Sequence, residues 1–190
     1  MAARPKGYGL TAEVRGKIDG KYDGELAQQA MQFIEHYVPD SNVSGNSTSD
    51  AVAEKLKDGV VLCKLINAIE PGSIKKFNES KMAFKQMENI GKFLDAIDQY
   101  GVAKSDSFQT VDLYEKQNMP AVINAIHALG RKAQSKGCYG IGPKESQANK
   151  REFTEEQMRA GSNVIGLQMG SNKGASQAGQ NFGKTRSIMD

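Results

Sequence analysis

Apolar residues recur at helical spacing through the first two thirds of this 190-residue chain and thin out afterwards. Over residues 25–38, Leu26, Ala30, Phe33, Ile34 and Tyr37 fall at i, i+4, i+7, i+8 and i+11, one stripe of an amphipathic helix that Pro39 ends. The Ser-, Asn-, Thr- and Gly-rich run at 40–49 reads as a surface loop, and Thr48, Ser49 or Asp50 can each cap a second helix that starts near Ala51. Val60, Val61, Leu62, Cys63, Leu65, Ile66, Ala68 and Ile69 then cover most of a helix circumference before Pro71 and Gly72 close it, which predicts a central, mostly buried helix. Phe84, Met87, Ile90, Phe93, Leu94 and Ile97 predict another long helix ending at Tyr100 and Gly101, with Lys85, Glu88, Lys92 and Asp95 pairing along its polar face. After a short segment at 108–113, Asn118 and Pro120 mark a further helix start, and Val122, Ile123, Ile126 and Leu129 give its buried stripe. Period-2 alternation is absent before residue 130, so the expected class is all-α: a domain over 24–134 with four main helices and shorter connecting ones.

The flanks follow different rules. Residues 1–23 hold one weak helical candidate at 11–22. A polar linker is expected over 135–163, carrying Gly137, Gly140, Gly142 and Pro143 and then a short helix near 154–160, because Thr154 and Gln157 have the spacing of a capping box. From 164 to 189 the chain is rich in Gly, Ser, Asn and Gln behind a short apolar head. Such a stretch has too little apolar surface to offset the entropy of ordering its own backbone. Its expected role is therefore to dock on something else.

Charge sharpens that division. Residues 1–130 carry 15 Lys and Arg against 17 Asp and Glu, whereas 131–190 carry 10 against 5. A basic rear favours an acidic partner. With two cysteines, Cys63 and Cys138, neither a disulfide framework nor a four-ligand zinc site is available, and a reducing cytoplasm fits. The first residues lack the apolar core of a signal peptide, the last lack a cysteine to prenylate, and the longest apolar run is four residues, so no membrane insertion is expected.

Candidate chemistry is sparse. His36 and His127 lie far apart without nearby ligands at metal spacing and read as structural imidazoles, half-buried or at the surface. No GxSxG nucleophile elbow is present, and no catalytic residue, metal site or cofactor is assigned. Gly174 and Gly179 bracket a G-x-x-x-x-G, but Gln180 and Asn181 stand where a phosphate loop needs Lys and Ser or Thr. Residues 105–116 lack the ligand order of a calcium loop, and the basic residues lack the aromatic interleaving of a nucleic-acid binder. An enzyme is not expected.

Several segments converge on a known family. LKDGVVLCKLIN at 56–67 looks like the central helix of calponin-homology domains; FKQMENI at 84–90 and FQTVDLYE at 108–115 resemble later helices of that domain in calponins and transgelins. VIGLQMGSNKGASQAG at 164–179 is similar to the calponin-like repeat. Order and spacing match across nearly the whole chain, and the single repeat copy resembles the transgelin-like branch. The resemblance implies a calponin-homology helical bundle followed by a largely extended repeat. It also implies a cytoplasmic, cytoskeletal protein that binds F-actin and stabilises or cross-links filaments, often in contractile (muscle) tissue. A scaffold that uses the domain to gather signalling or other cytoskeletal proteins, with little direct actin contact, is the rival function.

A slightly acidic domain is poorly matched to an acidic filament, so attraction is expected from the rear of the chain. Ile165, Leu167 and Met169 are candidate apolar anchors, and Lys173, Lys184 and Arg186 candidate contacts to acidic actin residues. Lys144, Lys150 and Arg151 correspond to a basic stretch that transgelins place before the repeat, diluted here by Glu145. Ser176 corresponds to a serine phosphorylated in calponins; beside Lys173, a phosphate would oppose contact with an acidic filament.

Overall fold

The structure, a computed structural model, describes residues 9–43, 45, 47–146 and 152–162. It divides into two units, Met1–Ser146 and Gln147–Asp190. Every described element is helical: α1 (Leu10–Asp19), α2 (Gly24–Tyr37), α3 (Ser49–Leu56), α4 (Val60–Ile69), α5 (Ala83–Tyr100), α6 (Thr110–Tyr114) and α7 (Met119–Ser135) in the first unit, and α8 (Glu155–Ser162) in the second. Single 3₁₀ turns at Pro39–Ser41 and Lys104–Asp106 link the longer helices.

Local chemistry accounts for the boundaries. Asp23 accepts from Glu25 N at 2.8 Å and Leu26 N at 3.3 Å, capping α2, and Asn118 accepts from Ala121 N at 3.2 Å, capping α7 behind Pro120. Each such cap contributes about 1 kcal/mol. At the far end of α5, Gly101 turns left-handed at φ 102° and lets Val102 N donate to Ile97 O at 3.0 Å, closing the helix as the glycine predicts.

Packing joins α4 to α5 and α2, and α2 in turn to α7, while α3 and α6 fill the corners between them. The buried side chains form one cluster around Phe33, Phe93, Met31, Ile34, Leu62, Leu65 and Ile126. Two helices depart from their expected faces. Helix α2 buries Ala27, Ala30, Met31, Phe33 and Ile34, leaving Leu26 exposed and Tyr37 half-buried, so its contact face is turned slightly from the stripe of largest residues. Helix α4 buries Leu62, Cys63, Leu65, Ile66 and Ile69 and leaves Ala68 exposed, while α7 is enclosed beyond its expected stripe, burying also Ala125, His127, Ala128, Gly130 and Ala133.

Part of the second face of α7 is covered by the chain folding back over it. Ile141 lies against Gly130, where a Cβ would come within 2.5 Å of Ile141 Cγ1 and 3.0 Å of its backbone nitrogen. Tyr139 sits on His36 with ring centroids 4.0 Å apart, and its carbonyl accepts from Tyr37 Oη at 2.7 Å. Gln134 Nε2 donates to Gly142 O at 3.2 Å, and Glu145 receives Lys132 at 3.4 Å and Ser135 at 3.3 Å. Residues 137–146, expected as linker, thus lie on the helical unit as a strap. His127, with 5% of its surface exposed, is more deeply buried than expected; its Nε2 lies 2.9 Å from Leu26 O, which gives that nitrogen a partner.

Candidate functional site

One surface of the first unit is built around the loop between α4 and α5, which side chains clamp in place. Residues 70–82 have no helix of their own, so their backbone groups need side-chain partners to hold a single conformation. Asn67 provides one clamp: its Oδ1 accepts from Ile74 N at 2.8 Å and its Nδ2 donates to Ile74 O at 2.9 Å. Asn89 provides the other. Fully buried, it accepts from Asn78 N at 2.8 Å and donates to Asn78 O at 2.6 Å and Asp58 O at 2.9 Å. A third tie runs from Lys92 Nζ to Lys76 O at 3.1 Å.

That arrangement depends on Gly59. Its φ of +70° favours glycine, and a Cβ there would lie 2.8 Å from Asn89 Cβ and 2.9 Å from Ile90 N. A few residues on, Cys63 Sγ donates to Asn89 O at 3.4 Å, and burial pushes its thiol up to about 12, so it stays protonated and unreactive. Cys138, by contrast, is exposed on the strap.

At the end of the clamped loop, Met82 and Phe84 are 61% and 69% exposed. Helical spacing places Phe84 on the core stripe of α5; the first turns of that helix instead reach past its buried face, which begins at Asn89 and Ile90, and leave the ring in solvent. Lys85 Nζ stands 5.7 Å from the Phe84 ring centre and 3.0 Å from Glu88, which Lys92 also meets at 2.7 Å. The bonds from Lys92 and then Lys85 hold the Glu88 carboxyl below its ordinary range. The alternation Lys81-Met82-Ala83-Phe84-Lys85 is the available signal for this surface, and reading Phe84 by helical spacing alone conceals it.

Elsewhere, an open groove of about 410 Å³ between α5 and the segment leading to α6 is lined by Leu94, Asp95, Val102 and Phe108, with Asp98 and Lys104 3.8 Å apart at its edge. Among the described residues, no three His, Cys, Asp or Glu side chains are grouped to hold a metal ion, and no helix is long and apolar enough to cross a membrane.

The second unit, taken by itself, shows α8 opened by a capping box: Gln157 N donates to Thr154 Oγ1 at 3.3 Å, and Thr154 N to Gln157 Oε1 at 3.0 Å. Glu155 and Glu156 occupy its first turn, where the helix dipole favours them, and Phe153 and Met158 are exposed. Of the residues singled out for partner binding, Lys144 is exposed on the strap. Lys150, Arg151, Ile165, Leu167, Met169, Lys173, Ser176, Lys184 and Arg186 lie outside the described residues, as does the repeat expected to be extended.

Comparison with known proteins converges on the same ground. The calponin homology (CH) domain family matches residues 25–135, and the calponin family repeat matches residues 165–188. The chain belongs to the calponin/transgelin family. One relative in it is myophilin of Echinococcus granulosus, 48% identical over 196 aligned positions that cover all of both chains. Among solved structures, the calponin-homology domain of Rng2 from Schizosaccharomyces pombe matches with a TM-score of 0.54 and 29% identity, covering 78% of this chain and 95% of that one. Vav1 inhibited by an allosteric inhibitor matches with a TM-score of 0.55 and 28% identity, over 64% of this chain and 24% of that one. Within this family architecture, α2 to α7 form the CH domain, α1 precedes it, and α8 ends three residues before the matched repeat.

Proposed function

We propose that this protein is a non-enzymatic, cytoplasmic actin-filament-binding protein of the contractile cytoskeleton, which stabilises or cross-links filaments through its repeat and the basic residues before it. The observation that carries this reading is the pairing, in one chain and in family order, of a CH domain at 25–135 with a single calponin repeat at 165–188. Ile165, Leu167 and Met169 insert as apolar anchors; Lys173, Lys184 and Arg186, supported by Lys144, Lys150 and Arg151, face acidic residues of the filament.

High-speed co-sedimentation tests it. Replacing Lys173, Lys184 and Arg186 with alanine removes three partly screened contacts of about 0.5 kcal/mol each, so filament affinity is expected to fall about tenfold. Wild-type binding should weaken steeply with added salt and the variant's much less. Unchanged affinity with an unchanged salt slope would reject the assignment.

Ser176 gives the site a switch. Adding negative charge three residues from Lys173 opposes an acidic surface, so Ser176→Asp is expected to weaken co-sedimentation roughly two- to fivefold. Equal pelleting of the two proteins would remove the serine from the binding mechanism.

A further inference from the structure

Cys138 stands at the root of the strap. Its backbone nitrogen donates to Ala133 O at 2.9 Å behind the left-handed Gly137, at φ 87°, so the end of α7 fixes where its side chain lies. The residue is exposed, unlike Cys63, yet water is not its only neighbour. Lys136, two residues before it, places Nζ 3.5 Å from the centre of the Tyr100 ring, and Tyr139, next in the chain, accepts the Tyr37 hydroxyl on its carbonyl at 2.7 Å. The thiol is thereby set near the phenols of α5 and α2, with Glu70 from the end of α4 standing 3.9 Å from Lys136.

Tyr100 makes this more than an exposed cysteine. With 4% of its surface exposed, it carries a hydroxyl that has no hydrogen-bond partner, a costly state for a buried donor. Burial first, and then the nearby charge of Cys138 and Glu70, push that phenol up to about 12, so it keeps its proton. The side chain placed to accept from it is Cys138. A neutral thiol is a weak acceptor and a thiolate a strong one, so the buried donor is fully satisfied only when Cys138 ionises. An exposed thiolate held by a fixed donor is a nucleophile.

We propose that Cys138 is a site of reversible covalent modification: its thiolate, held by the Tyr100 hydroxyl, forms mixed disulfides with low-molecular-weight peptide disulfides. The Cys138 proton goes to solvent as the thiolate forms. Sγ then attacks one sulfur of the disulfide, the S–S bond breaks with its electron pair on the departing sulfur, and that thiolate takes a proton from water. Cys138 is oxidised in the exchange and the departing half is reduced; excess thiol reverses both. Cys63, buried and bonded to Asn89 O at 3.4 Å, is shut out of the same chemistry. An adduct that carries carboxylates offsets positive charge on a strap where Lys144 is exposed.

Oxidised glutathione is the probe. The full chain, reduced and then freed of reductant, is incubated with it at neutral pH, and mass spectrometry follows each cysteine in the native chain and in the chain unfolded by urea. In the native chain one adduct is expected, on Cys138, formed at least about threefold faster than on the same residue in the unfolded chain. Tyr100→Phe keeps the ring beneath Lys136 and removes the hydroxyl. It should slow the native reaction about threefold or more and leave the unfolded rate unchanged, without lowering the thermal midpoint, because the group removed has no partner to lose. Excess reduced glutathione should release the adduct. A native rate at or below the unfolded one overturns the proposal, as does first reaction at Cys63 or a Tyr100→Phe rate equal to wild type. If Tyr100→Phe does not fold, the native-to-unfolded ratio of the wild type decides alone.

Discussion

Replacing Asn89 with alanine should destabilise the domain by about 3–5 kcal/mol, since it leaves a cavity at a fully buried position and deprives three part-buried backbone groups of their partner, at about 1 kcal/mol or more each. Those groups are Asn78 N, Asn78 O and Asp58 O, bound by the asparagine at 2.8, 2.6 and 2.9 Å. The side chain is fully buried, and its neighbour Gly59 is packed against it too closely for any Cβ. Collapse of the surrounding chain into the vacated space is therefore limited on that side. Urea unfolding followed by circular dichroism measures the loss as a lower midpoint at unchanged slope. On heating, a drop of roughly 10–20 °C is expected for a domain of this size. A loss below about 1 kcal/mol would mean that water replaces the amide at little penalty, and that the α4–α5 loop is not held as described.

Much of the helical framework is legible in the sequence because its signals are local. Asn118 with Pro120, Gly101 after Tyr100, and Thr154 with Gln157 each act within a few residues, and each element lies where those residues place it. What escapes the sequence depends on tertiary neighbours. The face that α2 buries is set by α4 and α7 rather than by its own largest residues, so Met31 is enclosed while Leu26 is exposed. Gly130 and Ala133 contribute little to an apolar stripe, yet they lie on the face of α7 that receives the strap carrying Tyr139 and Ile141. Small residues of this kind signal a close approach only once the approaching segment is known.

Asn89 shows the same limit from another side. Its place among Met87, Ile90 and Phe93 looks like a polar interruption near a buried stripe, and nothing within a helical turn names its partners at Asp58 and Asn78. The candidate site divides in the same way. The repeat is readable from its residues, because a family pattern needs no fold to be seen. The exposed Met82 and Phe84 need the fold, since apolar residues at helical spacing are ordinarily core and only the position of the first turn of α5 shows otherwise.

Deleting residues 163–190, which leaves α8 whole, should separate folding from adhesion. All buried apolar residues among those described fall between Ala27 and Ala133, so the first unit carries its core without the deleted segment. Its thermal midpoint is expected to change by no more than about 2 °C, the scale of substitutions that touch no core contact. Filament affinity is expected to fall by more than about tenfold, because the deletion takes the three apolar anchors and three cations of the repeat together. Lys144, Lys150 and Arg151 remain, so residual binding should be weak and steeply dependent on salt. If the shortened chain instead pellets with filaments as strongly as the whole, the CH domain is the principal binding surface and the repeat has another purpose.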